Sequence, residues 1–64
     1  MNNKLRVIRA EKRITQFQLR LMTGIHQSKL SMAENDLVEL RPEEMAKVAK
    51  ALGVSVKDIW QGKE

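Results

Sequence analysis

The 64-residue sequence predicts an all-α protein, a compact bundle of five short helices. Three observations predict it. No segment alternates apolar and polar residues for long enough to make a half-buried strand. Glycines at 24, 53 and 62 and the single proline, Pro42, punctuate the chain into short pieces. Within those pieces apolar residues recur three and four positions apart, the spacing of one helix face.

The elements follow in order. Asn3 can cap a first helix of about residues 4–12, with Leu5 and Ile8 on its inner face. Thr15 opens the second, and Gln18 stands three residues on. This is the spacing of a capping box, in which each side chain satisfies the other residue's free backbone N–H. Gly24 ends that helix, and Ile25 is apolar in the turn. A third helix is expected from Gln27 to Asn35, with only Leu30 and Ala33 on a clean apolar stripe. Pro42 suits the first position of a fourth helix, where Glu43 and Glu44 complement the helix dipole. Met45, Val48, Ala49 and Leu52 form its stripe, and Gly53 stops it. Ser55 with Asp58 repeats the capping-box spacing, and Val56, Ile59 and Trp60 give a last short helix its inner face. No linker, repeat or low-complexity stretch divides residues 1–64, which read as one domain.

Composition narrows the function. A chain this short buries only roughly 60% of the surface that its unfolded form exposes, so its core is small and its stability thin. Cysteine is absent. This removes disulfides, thiolate metal sites and cysteine nucleophiles, and fits a reducing, cytoplasmic setting. No apolar run approaches the roughly 18 residues of a membrane span. The start, MNNKLRVIRAEKR, lacks the apolar region of a signal peptide. A membrane-surface role is poor as well, because the first helix is short and has no large aromatic anchor. The formal charge is +4 and unevenly spread. Residues 1–33 carry seven basic residues against Glu11 alone, while residues 34–64 carry five basic and seven acidic ones. A basic first half points to a polyanionic partner. Lys4, Arg6, Lys12 and Arg13 read first as a solvated face. No nucleophile–base set, phosphate-cradling glycine loop or metal-ligand spacing is visible, so neither an enzyme nor a cofactor is expected.

The second and third helices, about residues 16–35, have the arrangement of a helix-turn-helix: Gln16, Leu19, Gly24, Ile25, Leu30, Ala33. With Leu30 and Ala33 on the core, the opposite face of the third helix carries Gln27, Ser28, Ser31 and Met32. A glutamine amide matches adenine N6 and N7 in the major groove, and a serine hydroxyl pairs with several bases. A methionine tip can touch a thymine methyl. Ser31 can instead bond its own helix backbone, and Met32 can be an ordinary exposed residue. Lys29, on the flank, suits a phosphate. His26 opens the third helix in the turn, with a phosphate contact as its functional reading.

LRVIRAEKRITQFQL, TGIHQSKLSMAEN and VAKALGVSVKDIW together resemble the lambda-repressor/Cro-like helix-turn-helix family, also called Xre-type regulators. The resemblance runs over about residues 4–60. It implies that Gln16 touches a phosphate and hydrogen-bonds Gln27, fixing Gln27 for a base, and that Ser28, Ser31 and Met32 are the other groove-facing positions. It implies a structural salt bridge between Arg9 and Glu34. Arg20 stands where the family usually has alanine, near the close crossing of the second and third helices; its long stem can bend outward and keep its charge in water. Asp36 replaces a glycine, so Asn35 or Asp36 must adopt a left-handed backbone. The loop Asp36-Leu37-Val38-Glu39-Leu40 lacks basic residues, leaving Arg41 for phosphate. The function implied is a sequence-specific double-stranded DNA-binding repressor, dimeric on a palindromic operator. The alternative is an antitoxin-like interaction module that uses Leu37, Val38 and Phe17. Ile59 and Trp60 are expected to close the core or, alternatively, to form a dimer contact.

Overall fold

In the computed structural model, which describes residues 3–60, five helices follow one another. They are α1 (Leu5–Glu11), α2 (Gln16–Thr23), α3 (Gln27–Glu34), α4 (Pro42–Leu52) and α5 (Val56–Trp60). No strand occurs among the described residues. Gly62, taken above as a punctuation point, lies outside them.

Each helix contributes one fully enclosed side chain to a shared core: Leu5, Leu19, Leu30, Val48 and Ile59. Enclosing each stabilises the fold by about 1.5–3 kcal/mol relative to leaving it exposed. Ile25, in the turn between α2 and α3, and Leu40, in the loop before α4, complete the enclosure. Trp60 and Met45 pack at the edge, half-buried. Val56 departs from expectation. It sits at the open start of a five-residue helix and stays exposed, so Ile59, with Trp60 packed beside it at the edge, anchors α5.

The helix starts are built locally. The Thr15 hydroxyl accepts from the Gln18 N–H at 3.0 Å, and the Gln18 side chain accepts from the Thr15 N–H at 2.8 Å. Ser55 and Asp58 make the same reciprocal pair at 3.0 and 3.3 Å. Those bonds to Ser55 hold the Asp58 carboxyl below its ordinary value. Pro42 occupies the first turn of α4, and the Glu44 carboxylate reaches back to the Arg41 N–H at 2.8 Å. At α1 the Asn3 side-chain oxygen accepts from the Leu5 N–H at 3.0 Å.

The helix ends share one device. After α1 the Arg13 N–H donates to the Ala10 carbonyl and the Ile14 N–H to the Arg9 carbonyl, both at 3.0 Å. After α3 the Asp36 N–H donates to Ala33 and the Leu37 N–H to Met32, at 3.1 and 2.8 Å. These nested pairs satisfy carbonyls that a helix end leaves free, and they need a left-handed residue at the reversal. Glycine supplies it after α4, at Gly53 with φ 73°. Arg13 (φ 59°) and Asp36 (φ 60°) supply it after α1 and α3. Of the two residues expected to share this role, Asp36 takes the left-handed backbone, and Asn35 keeps a negative φ. Gly24, φ 79°, makes the turn from α2 toward α3.

Candidate nucleic-acid interface

Helix α3 divides its surface in two. Successive residues rotate by roughly 100° about the axis. Leu30, Ala33 and Glu34 fall on one side, and all three are buried. Ser28 and Met32 project almost straight away from them and are exposed. Gln27 and Ser31 occupy one flank and Lys29 the other, all three half-buried. The outward side of α3 and its Gln27 flank therefore combine an amide, two hydroxyls and a thioether, with the charge of Lys29 on the opposite flank. The Gln27 side chain makes no hydrogen bond among the described residues, and neither does the Ser31 hydroxyl.

A polar network fixes this helix against the rest. The Arg9 guanidinium donates to Glu34 through Nε at 2.6 Å and Nη2 at 3.3 Å. Its Nη1 donates to the Ile14 carbonyl at 2.9 Å. The Gln16 amide donates to Glu34 Oε1 at 3.0 Å. Glu34 is 3% exposed and Arg9 16%. One carboxylate thus ties together α1, the turn before α2, the first residue of α2, and α3. This placement differs from the expected Gln16–Gln27 bond. Gln16 spends one amide hydrogen on Glu34 because that carboxylate is buried beside it and needs donors. Gln27 is left with its full donor and acceptor set.

The other end of α3 is held by Asn3. Its Nδ2 donates to the Ala33 carbonyl at 3.0 Å and to Asp36 Oδ1 at 2.8 Å. Nothing local in the sequence marks this tie, because the partners lie thirty residues apart. The Lys4 N–H donates to the Ile59 carbonyl at 2.8 Å, so the same strand of backbone also holds α5.

His26 precedes α3 and acts as its cap. Nδ1 accepts from the Ser28 N–H at 3.3 Å and lies 3.0 Å from Ser28 Oγ. An accepting Nδ1 places the ring proton of the neutral form on Nε2, which leaves Nε2–H as an outward donor. Lys29 does not stand free. Its ammonium pairs with Glu44 Oε2 of α4 at 2.9 Å. The Arg41 backbone N–H and then Lys29 hold the Glu44 carboxyl below its ordinary value. A phosphate at Lys29 would have to displace or share that carboxylate. Arg41 is exposed at the start of α4. Arg20 is exposed on α2.

Two of the apolar residues singled out for partner contact are exposed, Leu37 at 71% and Phe17 at 53%. Val38 packs against the core instead. Among the described residues no helix is long and apolar enough to cross a membrane, and no group of three or more His, Asp or Glu side chains is placed to hold a metal.

A comparison with curated proteins finds no match to this chain. The family model of the Cro/C1-type HTH (helix-turn-helix) DNA-binding domain matches residues 4–61, which takes in all five helices and the divided face of α3. The chain belongs to the Cro/C1-type helix-turn-helix DNA-binding family.

Proposed function

We propose that this protein is a sequence-specific double-stranded DNA-binding transcriptional regulator that inserts α3 into the major groove. The carrying observation is the outward face of α3. Gln27, Ser28, Ser31 and Met32 project there uncharged, on a helix locked from behind by Glu34. Base edges are read by amides, hydroxyls and apolar tips, whereas phosphates position the protein without carrying sequence information. Gln27 reads adenine through its unspent amide. Ser28 and Ser31 pair with neighbouring base edges, and Met32 packs on a thymine methyl. Gln16, His26 and Arg41 hold the backbone through their free N–H groups, and Lys29 joins them by sharing Glu44. Two copies bind a two-fold symmetric operator with reading helices about 34 Å apart. Occupation of a promoter then represses transcription.

The test is an amide-shift titration of isotope-labelled protein with duplex DNA. Shifts centred on the start of α2, residues 26–32 and Arg41 support the reading. Shifts spread evenly over all basic residues, or none, would count against it.

The exposure of Leu37 and Phe17 favours a second reading, a protein-interaction module of the antitoxin kind. In that case a protein partner, and not DNA, protects Leu37 and Phe17 from exchange or labelling.

A further inference from the structure

We propose that Arg13 is a DNA-backbone ligand, held toward a phosphate by the turn that joins α1 to α2. The proposal rests on the DNA-binding reading above and adds a contact to it. Arg13 has a left-handed backbone, φ 59°. Side chains with a Cβ are disfavoured there, and glycine adopts this conformation without that penalty. This chain uses glycine for the left-handed turns after α2 and α4. The other non-glycine case, Asp36, is explained by its bond from Asn3. Arg13 has no such explanation within the fold. Its side chain is exposed and makes no hydrogen bond or ion pair among the described residues. A long cation at a position where glycine would be easier is a local conflict between sequence and structure. Such conflicts concentrate where function requires them.

The turn is also rigid. The Arg13 N–H is bonded to Ala10, and the next residue, Ile14, is bonded through its N–H to Arg9 and through its carbonyl to the Arg9 guanidinium. That guanidinium grips Glu34 on α3. The backbone of Arg13 is therefore registered to the reading helix by two residues. Three positions separate Arg13 from Gln16, a span of at most about 10–11 Å. A guanidinium there reaches the phosphate next to one held at the start of α2.

The test compares wild type with Arg13→Gly and Lys57→Gln on a labelled random-sequence 20-base-pair duplex, by fluorescence anisotropy over a salt series, with thermal melts alongside. Lys57 is a cation on α5, which packs against α1 and α4, and controls for net charge. A phosphate contact needs no operator, because it acts on any sequence. Arg13→Gly is expected to melt at or above the wild-type temperature while its log–log salt slope shrinks by about 0.9, one phosphate. Over a fourfold rise in salt, this makes the loss of affinity about 3.5-fold smaller than for wild type. Lys57→Gln leaves the slope unchanged. An unchanged slope in Arg13→Gly, or equal changes in both variants, overturns the assignment while leaving DNA binding intact. A wild type that does not bind the duplex at low salt overturns both.

Discussion

Replacing Glu34 with glutamine removes a charge and almost no volume, so it isolates the electrostatics of the network behind α3. The carboxylate accepts from Arg9 Nε, Arg9 Nη2 and Gln16 Nε2 at 2.6, 3.3 and 3.0 Å. Glutamine keeps one acceptor oxygen and turns the other into an NH2 that faces donors. Breaking a buried ion pair costs about 3–5 kcal/mol, and a hydrogen bond to a charged group is worth about 1.5–3 kcal/mol. Arg9 keeps the Ile14 carbonyl and some solvent, which moderates the loss. The expected destabilisation is about 2–4 kcal/mol. Against a total stability of about 3–10 kcal/mol for a chain of this length, that is a large share. Urea denaturation followed by far-UV circular dichroism measures it, and the melting temperature should fall by at least about 8 °C. A double-mutant cycle with Arg9→Met should return a coupling of about 1–3 kcal/mol. A Glu34→Gln variant within about 0.5 kcal/mol of wild type, the range of an ordinary surface change, would refute this account of how α3 is held.

Three other outcomes follow from the same geometry. Leu30→Ala should cost about 2–5 kcal/mol by opening a cavity where five helices meet, whereas Met32→Ala on the outward face should stay within about 0.5 kcal/mol; equal losses in urea melts would contradict the two-faced reading of α3. Gly24→Ala should lose about 1–2 kcal/mol from its left-handed backbone alone, because a Cβ there meets nothing within 4 Å; a larger loss with a distorted spectrum would show a steric cause. Glu44 and Asp58 are both held below their ordinary values of 4.5 and 3.8, so the fold prefers them ionised. Their contribution is present above those values and is lost as the pH falls through the lowered ones. The melting temperature should therefore decline with acid below about pH 4.5, less steeply in a Glu44→Gln, Asp58→Asn variant; a flat or rising profile there would contradict the linkage.

What the sequence makes legible is what is local. Thr15 with Gln18, Ser55 with Asp58, and Pro42 before two glutamates declare helix starts within four residues; the two capping-box bonds form at the expected places, and Glu44 adds a bond from the Arg41 N–H that the helix dipole alone did not call for. The stripe of Leu30 and Ala33 declares the inner face of α3. Long-range polar pairing is not legible from spacing. The family resemblance implies the pairing of Glu34 with Arg9, but no spacing points to it, and nothing in the sequence points to the further bond from Gln16. Lys29 reads as a free cation because Glu44 lies fifteen residues away and already has a role at the start of its own helix. Asn3 gives no sign that it holds the far end of α3. The left-handed backbone at Arg13 is hidden for a different reason: nothing in an arginine announces a turn that glycine would ordinarily make.

Whether α3 reads base sequence is decided by selecting bound sequences from a random duplex pool, with wild type and Gln27→Ala in parallel. Wild type should enrich a palindrome whose preference at one symmetric position is lost in Gln27→Ala, at a cost of about 1–3 kcal/mol for the favoured base. No enrichment by wild type, or an equal loss of Gln27→Ala affinity on selected and random DNA, would contradict base reading by α3.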